Sequence, residues 1–160
     1  FNWRGEVCAT FRGEGECAVL FDCSRGRRDM PPMQQGDFSS SVRDAGPQTH
    51  RFEGHRNVET FLKECKFVCG GEFVATGSDC GRLFVYCRRT GEVVRAIHCD
   101  GSVVNGLAVH PLLPKVVVCG IDSDVKVLDL WDETQPPPTE GEMVRMRDRA
   151  PPPPPSEPPG

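Results

Sequence analysis

The chain has 160 residues, with 19 basic and 23 acidic side chains and a net charge of −4 at pH 7. That balance excludes a general electrostatic pull toward nucleic acid or anionic lipid. No apolar run approaches the roughly 20 residues that cross a bilayer and no signal-peptide pattern opens the chain, so neither nucleic acid nor membrane is expected as a partner.

Val7-Cys8-Ala9-Thr10-Phe11, a turn through Gly13 and Gly15, and Cys17-Ala18-Val19-Leu20-Phe21-Asp22 predict two strands joined by a Gly-rich turn. The start at Phe1, without a methionine, predicts a fragment of a longer intracellular protein, cytoplasmic and/or nuclear. Residues 24–49 are rich in Ser, Gly, Pro, Arg and Asp and read as a low-complexity insertion, in which Arg25, Arg27 and Arg28 are solvated. A strand near His50-Arg51-Phe52 is expected to complete the first group. Further strand-like runs follow from Phe61 to Val68, at Phe73 to Thr76, Leu83 to Tyr86, Val93 to Ile97 and Val103 to Val109, and then at Val116 to Cys119 and Val125 to Leu128. Helical periodicity is absent from all of them. From Trp131 onward lie ten of the chain's fifteen prolines, a composition that cannot bury enough apolar surface to offset its ordering entropy.

Phe73-Val74-Ala75-Thr76-Gly77-Ser78-Asp79 matches Val116-Val117-Val118-Cys119-Gly120-Ile121-Asp122 at a constant offset of 43 residues. Four short strands per period of that length are the signature of a WD-repeat blade. The expected fold is therefore all-β: a partial WD-repeat β-propeller of about two and a half four-stranded antiparallel blades, followed by a disordered proline-rich tail. The expected divisions are a partial blade over 1–23, the insertion over 24–49, a blade over 50–99, a last blade without its closing strand over 100–131, and the tail over 132–160. Since a ring needs about four to eight blades, the remaining ones are expected before Phe1.

Gly54-His55 stands where a blade's Gly-His dipeptide belongs, and His55 is expected to be structural, buried and hydrogen-bonded toward a turn aspartate. Asp122 occupies the place of that aspartate, whereas in the earlier copy Cys80 falls there and Asp79 comes one residue before it. Both Asp79 and Asp122 are assigned structural roles. The Trp-Asp that ends a third strand reads Tyr86-Cys87 and Leu128-Asp129, and Trp131-Asp132 arrives three residues late, as a coincidence.

Nine cysteines include no Cys-x-x-Cys pair and are read as small apolar residues, so no metal and no cofactor is expected. No phosphate loop, Gly-x-Ser-x-Gly or His-Glu-x-x-His is present, and no pair of carboxylates falls on a plausible pocket floor, Asp122 and Asp124 flanking a turn as in propeller turns generally; the chain is not expected to be an enzyme, with no catalytic residue assigned. In the tail, Pro151 to Pro155 with Pro158-Pro159 would form polyproline II and suit a polyproline-binding domain.

The strings Phe52-Glu53-Gly54-His55-Arg56-Asn57, Glu72 through Phe84, Gly101 through Leu107 with His110-Pro111-Leu112-Leu113-Pro114, and Gly120 through Val127 resemble the last blades of a known family. That family is the WD-repeat substrate receptors of cullin-4 RING ubiquitin ligases, the DDB- and cullin-4-associated factors. The resemblance implies a protein-interaction platform whose partners are the ligase's linker protein and an unknown substrate. It also implies that an arginine two places after the Trp-Asp position docks the linker, which falls on Arg89 after Tyr86-Cys87-Arg88. The alternative is a general WD-repeat scaffold with no ligase connection.

Overall fold

A computed structural model of the chain describes residues 2–10, 17–22, 48–132, 134–139 and 142. The Gly13–Gly15 turn, nearly all of the 24–49 insertion and the polyproline run lie outside the described residues. The rest folds into antiparallel strands only, with one short 3-10 turn at Cys69–Gly71.

Three sheets follow one another along the chain. The first holds β1 (Glu6–Thr10), β2 (Ala18–Asp22) and β3 (Gln48–Phe52), in that order. The second holds β4 (Cys65–Val68), β5 (Phe73–Thr76), β6 (Arg82–Cys87) and β7 (Val93–His98). In the third, β8 (Val104–Val109), β9 (Lys115–Gly120) and β10 (Lys126–Asp129) are paired, and β9 lies in the centre. β3 begins inside the stretch read as insertion and pairs with β2, Ala18 opposite Phe52, so it belongs to the first sheet and not to the second. The second sheet begins only at Cys65: the apolar run that starts at Phe61 does not continue the strand backward, because the backbone before it is held in a loop described below.

The near-continuous apolar runs of β5 and β6 are explained by their position between two cores. Side chains alternate across a strand. Phe73, Ala75, Leu83 and Val85 face a core shared with Val104, Leu107, Val116 and Val118 of the third sheet. Val74, Phe84 and Tyr86 face the other way, onto Ala18, Leu20 and Phe52 of the first sheet. Burying a large side chain of this kind contributes about 1.5–3 kcal/mol, so the second sheet is stabilised chiefly by its two neighbours. β7, on the outer side, is mostly half-exposed.

Gly77 shows how closely the sheets approach. A Cβ built there would lie 2.1 Å from the carbonyl oxygen of Val104, a backbone atom of the next sheet. Gly77→Ala is expected to lower the stability of the complete protein by about 1–3 kcal/mol, as overpacking commonly does. Urea unfolding that leaves the alanine variant level with wild type would disprove this close approach.

The cysteines are not uniformly buried. Cys17, Cys87 and Cys99 are, but Cys80 and Cys119 are exposed, and Cys8, Cys65 and Cys69 are half-buried. Beyond β10, Trp131 packs its ring 5.2 Å from that of Phe73 and within 5.7 Å of the Arg95 guanidinium. Late as it comes, the residue therefore has a packing role. At the start of the stretch read as tail, Asp132 caps a turn by accepting the Thr134 and Gln135 N–H groups, each at 2.8 Å.

Candidate functional site

Because successive strands run antiparallel, the loops fall at two ends of the sheets. One end carries residues 53–64, 77–81, 99–103 and 121–125; the other carries 69–72, 88–92, 110–114 and 130–132.

At the first end, Asp79 organises the loop that leads into β4. Its carboxylate accepts the N–H groups of Val58 at 2.6 Å and Glu59 at 2.7 Å and the Thr60 hydroxyl at 2.8 Å. It also pairs with the Lys63 ammonium at 2.6 Å, and both side chains are sealed from solvent, 0% and 1% exposed. Lys63 donates in addition to the Thr60 hydroxyl and to the carbonyl of Phe61 at 2.9 Å. Burial alone would raise the Asp79 pKa, yet the Lys63 ammonium and the converging N–H and O–H donors hold the carboxyl well below the usual carboxylate range. The fixed loop carries Phe61 and Leu62 outward, 82% and 58% exposed.

Asp122 does the corresponding work in the third sheet with fewer bonds. Its carboxylate accepts the Gly101 N–H at 3.0 Å, and Gly101 and Asp122 each stand 43 residues beyond Val58 and Asp79. Asp79, and not Cys80, is thus the structural counterpart of Asp122. Asp122 is exposed and its cation, Lys126 at 3.4 Å, is on the surface. Asp100 supplements it from below, buried, with its carboxylate accepting the N–H groups of Ser102 at 2.8 Å, Val103 at 3.0 Å and Asp122 at 3.1 Å.

His55 is buried between the same elements. Its hydrogen bond joins Nδ1 to the Tyr86 hydroxyl at 3.0 Å, where an aspartate is the partner expected from the sequence. Tyr86 stands at the Trp position of the third strand, and its hydroxyl reaches the imidazole because Asp79 is already committed to Lys63 and the loop. Burial lowers the His55 pKa to about 4, so the ring is neutral at pH 7. The Tyr86 hydroxyl is pushed far above its ordinary value, also by burial.

At the second end, Arg89 is exposed in the turn between β6 and β7. Its neighbour Arg88 points the other way and pairs with Glu6 of β1 at 2.9 Å, with both side chains largely covered. The two arginines thus divide, one to the sheet interface and one to the surface. Among the described residues no group of three or more His, Cys, Asp or Glu side chains is placed to hold a metal ion.

Lys63, Thr60 and Asp100 were not singled out by sequence. Lys63 gives no signal, since a lysine before a strand is ordinarily solvated. Asp100 could have been found: it stands 43 residues after Asn57, and both are buried.

Sheets of this pairing, repeat length and turn chemistry define a WD-repeat β-propeller segment. The β-propeller domain of Cps50 (Swd1) from Myceliophteria thermophila superposes with a TM-score of 0.57 over 79% of this chain and 37% of that one, at 15% identity, a likeness of fold. No protein-family model matches the chain.

The chain belongs to the WD-repeat proteins and is similar to DDB1- and CUL4-associated factor 6 of Homo sapiens, 40% identical over 111 residues. WD repeat protein iqw1 of Schizosaccharomyces pombe is 36% identical over 86 residues. These matches cover 69% and 54% of this chain but only 13% and 10% of the two relatives, so the chain spans about an eighth or less of their length. The resemblance to the DDB- and cullin-4-associated factors read from the sequence is borne out.

Proposed function

We propose that the complete protein is a substrate receptor of a cullin-4 RING ubiquitin ligase, acting by binding and not by catalysis. The observation that carries this reading is the 40% identity to DDB1- and CUL4-associated factor 6, which extends over 111 residues, 69% of the chain. The arrangement of the loops supports it. A receptor must hold the ligase linker and a substrate at once, and the segment has two separate ends. Arg89 stands exposed at one, and its planar, always-charged fork suits carboxylates or carbonyls of a docking partner. Phe61 and Leu62 stand exposed at the other, on a loop whose shape is fixed before any partner arrives, which lowers the ordering cost of binding. Its place of action is the cytoplasm, the nucleus or both.

The test is co-purification of the complete protein with the cullin-4 linker protein DDB1. Arg89→Ala is expected to weaken that association by about tenfold, the effect of losing a well-placed interface arginine. Arg82→Ala, an exposed arginine at the opposite end, should leave it unchanged. Absence of any linker binding by the wild-type protein would transfer the reading to a general WD-repeat scaffold.

A further inference from the structure

We propose that Cys8 of the first sheet and Cys65 of the second form a reversible disulfide when the protein meets a peroxide, latching the two sheets together. The argument begins with β1. Side chains two residues apart share a face of a strand, so Glu6, Cys8 and Thr10 point the same way. The two flanking residues both reach the second sheet: Glu6 pairs with Arg88 at 2.9 Å, and the Thr10 hydroxyl donates to the Lys63 carbonyl at 2.6 Å. Cys8, held between these two anchors on the strand that packs against β4, is brought beside Cys65, two residues beyond Lys63. Both side chains pack on the core between the sheets, and both residues are half-buried.

The chemistry of the pair is unequal. The neighbouring Cys65 thiol lowers the Cys8 pKa, while the same proximity and burial push Cys65 well up. Cys8 is therefore the nucleophile, since the thiolate is the reactive form. Its sulfur attacks one peroxide oxygen and breaks the O–O bond, giving a sulfenic acid and hydroxide. The Cys65 sulfur then attacks the Cys8 sulfur and displaces its hydroxyl, which leaves with the Cys65 proton as water. The protons released by the two thiols and the two hydroxyl fragments make two waters, so two thiols are oxidised by two electrons and one peroxide is reduced.

The disulfide would enclose the chain from Cys8 to Cys65, including the whole of 24–49, and would fix the first sheet against the loop that Lys63 and Asp79 organise. A cross-link of this kind restricts the unfolded chain.

The experiment uses the complete protein, reduced, freed of reductant and treated with hydrogen peroxide, then alkylated and digested without reduction. A linked peptide pair carrying Cys8 and Cys65 is expected, lost on adding dithiothreitol. In Cys65→Ser the linked pair should vanish and a sulfenic acid at Cys8 should be trapped by dimedone; in Cys8→Ser both signals should vanish. The alanine variants repeat each measurement should a serine variant fail to fold. Exposed Cys80 and Cys119 serve as internal references. The proposal is overturned if no linked pair forms, if Cys8 links to a different cysteine, or if Cys8 in Cys65→Ser gains no more dimedone than Cys80 and Cys119.

Discussion

Asp79→Ala is expected to destabilise the complete protein by about 3–5 kcal/mol, the usual consequence of leaving one charge of a buried pair without its partner. The Lys63 ammonium has no exposed surface through which to recover hydration, and its remaining contacts, the Thr60 hydroxyl and the Phe61 carbonyl, are neutral. The N–H groups of Val58 and Glu59 lose their acceptor as well, so the loop loses the interaction that gives it its shape. Asp122→Ala supplies the comparison. It occupies the same place in the third sheet, but its carboxylate and its lysine are at the surface, where an ion pair contributes about 1 kcal/mol or less. Replacing both members of the buried pair, Lys63→Met with Asp79→Leu, should restore much of what Asp79→Ala removes, because no lone charge remains. Urea unfolding of the four proteins measures this. Equal losses for Asp79→Ala and Asp122→Ala, or a double variant no better than the single, would show that the pair is not sealed as described. The same pair gives a pH dependence of known sign: a carboxyl held below its unfolded pKa of about 3.9 stabilises the fold above that value, and the contribution is lost as pH falls further.

The repeat was legible because it is written in residues that have few substitutes. A glycine that must let another backbone pass, as Gly77 does, and an aspartate that must accept loop N–H groups, as Asp79 and Asp122 do, recur at a fixed distance whatever the strands between them contain. The strands themselves were legible from their apolar runs, and the double-sided burial of β5 and β6 explains why those runs do not alternate. Where the loop into β4 ends was not legible. Phe61 and Leu62 have the composition of a strand, and only the buried Lys63–Asp79 pair, a contact between residues 16 apart in sequence, turns them outward. The partner of His55 was hidden for a related reason. A tyrosine at the Trp position carries a hydroxyl that tryptophan lacks, and that hydroxyl takes the imidazole while Asp79 is occupied elsewhere. Arg88 and Arg89 look alike in sequence. Only the position of Glu6, far off in the chain, assigns one to the sheet interface and leaves the other on the surface.

The largest pH effect between neutrality and mild acid is expected from His55. In the unfolded chain its imidazole takes up a proton near pH 6.5, but in the fold burial lowers the pKa to about 4. Between those values the unfolded state binds more protons than the folded one, so stability rises with pH across the interval and falls as the solution is acidified. The difference corresponds to about 3 kcal/mol, fully present above pH 6.5 and fully lost below 4. The protonated ring would be the less tolerable because Lys63 already places a positive charge nearby, which outweighs none of the burial cost and adds to it, while Asp79 offsets only part. His55→Gln cannot titrate and retains a group able to bond the Tyr86 hydroxyl. It should therefore unfold with a flatter pH profile than wild type from 6.5 to 4, even if its stability at neutral pH is lower. The carboxylates Asp79 and Asp100 do not blur the comparison: their pKa values are lowered, so their losses fall at the acid edge of the interval and are shared by both proteins. A wild-type profile that is level across this range, or a slope that survives unchanged in His55→Gln, would mean that His55 is not held neutral by the fold. The blade would then have to be re-read around an imidazole that protonates in place.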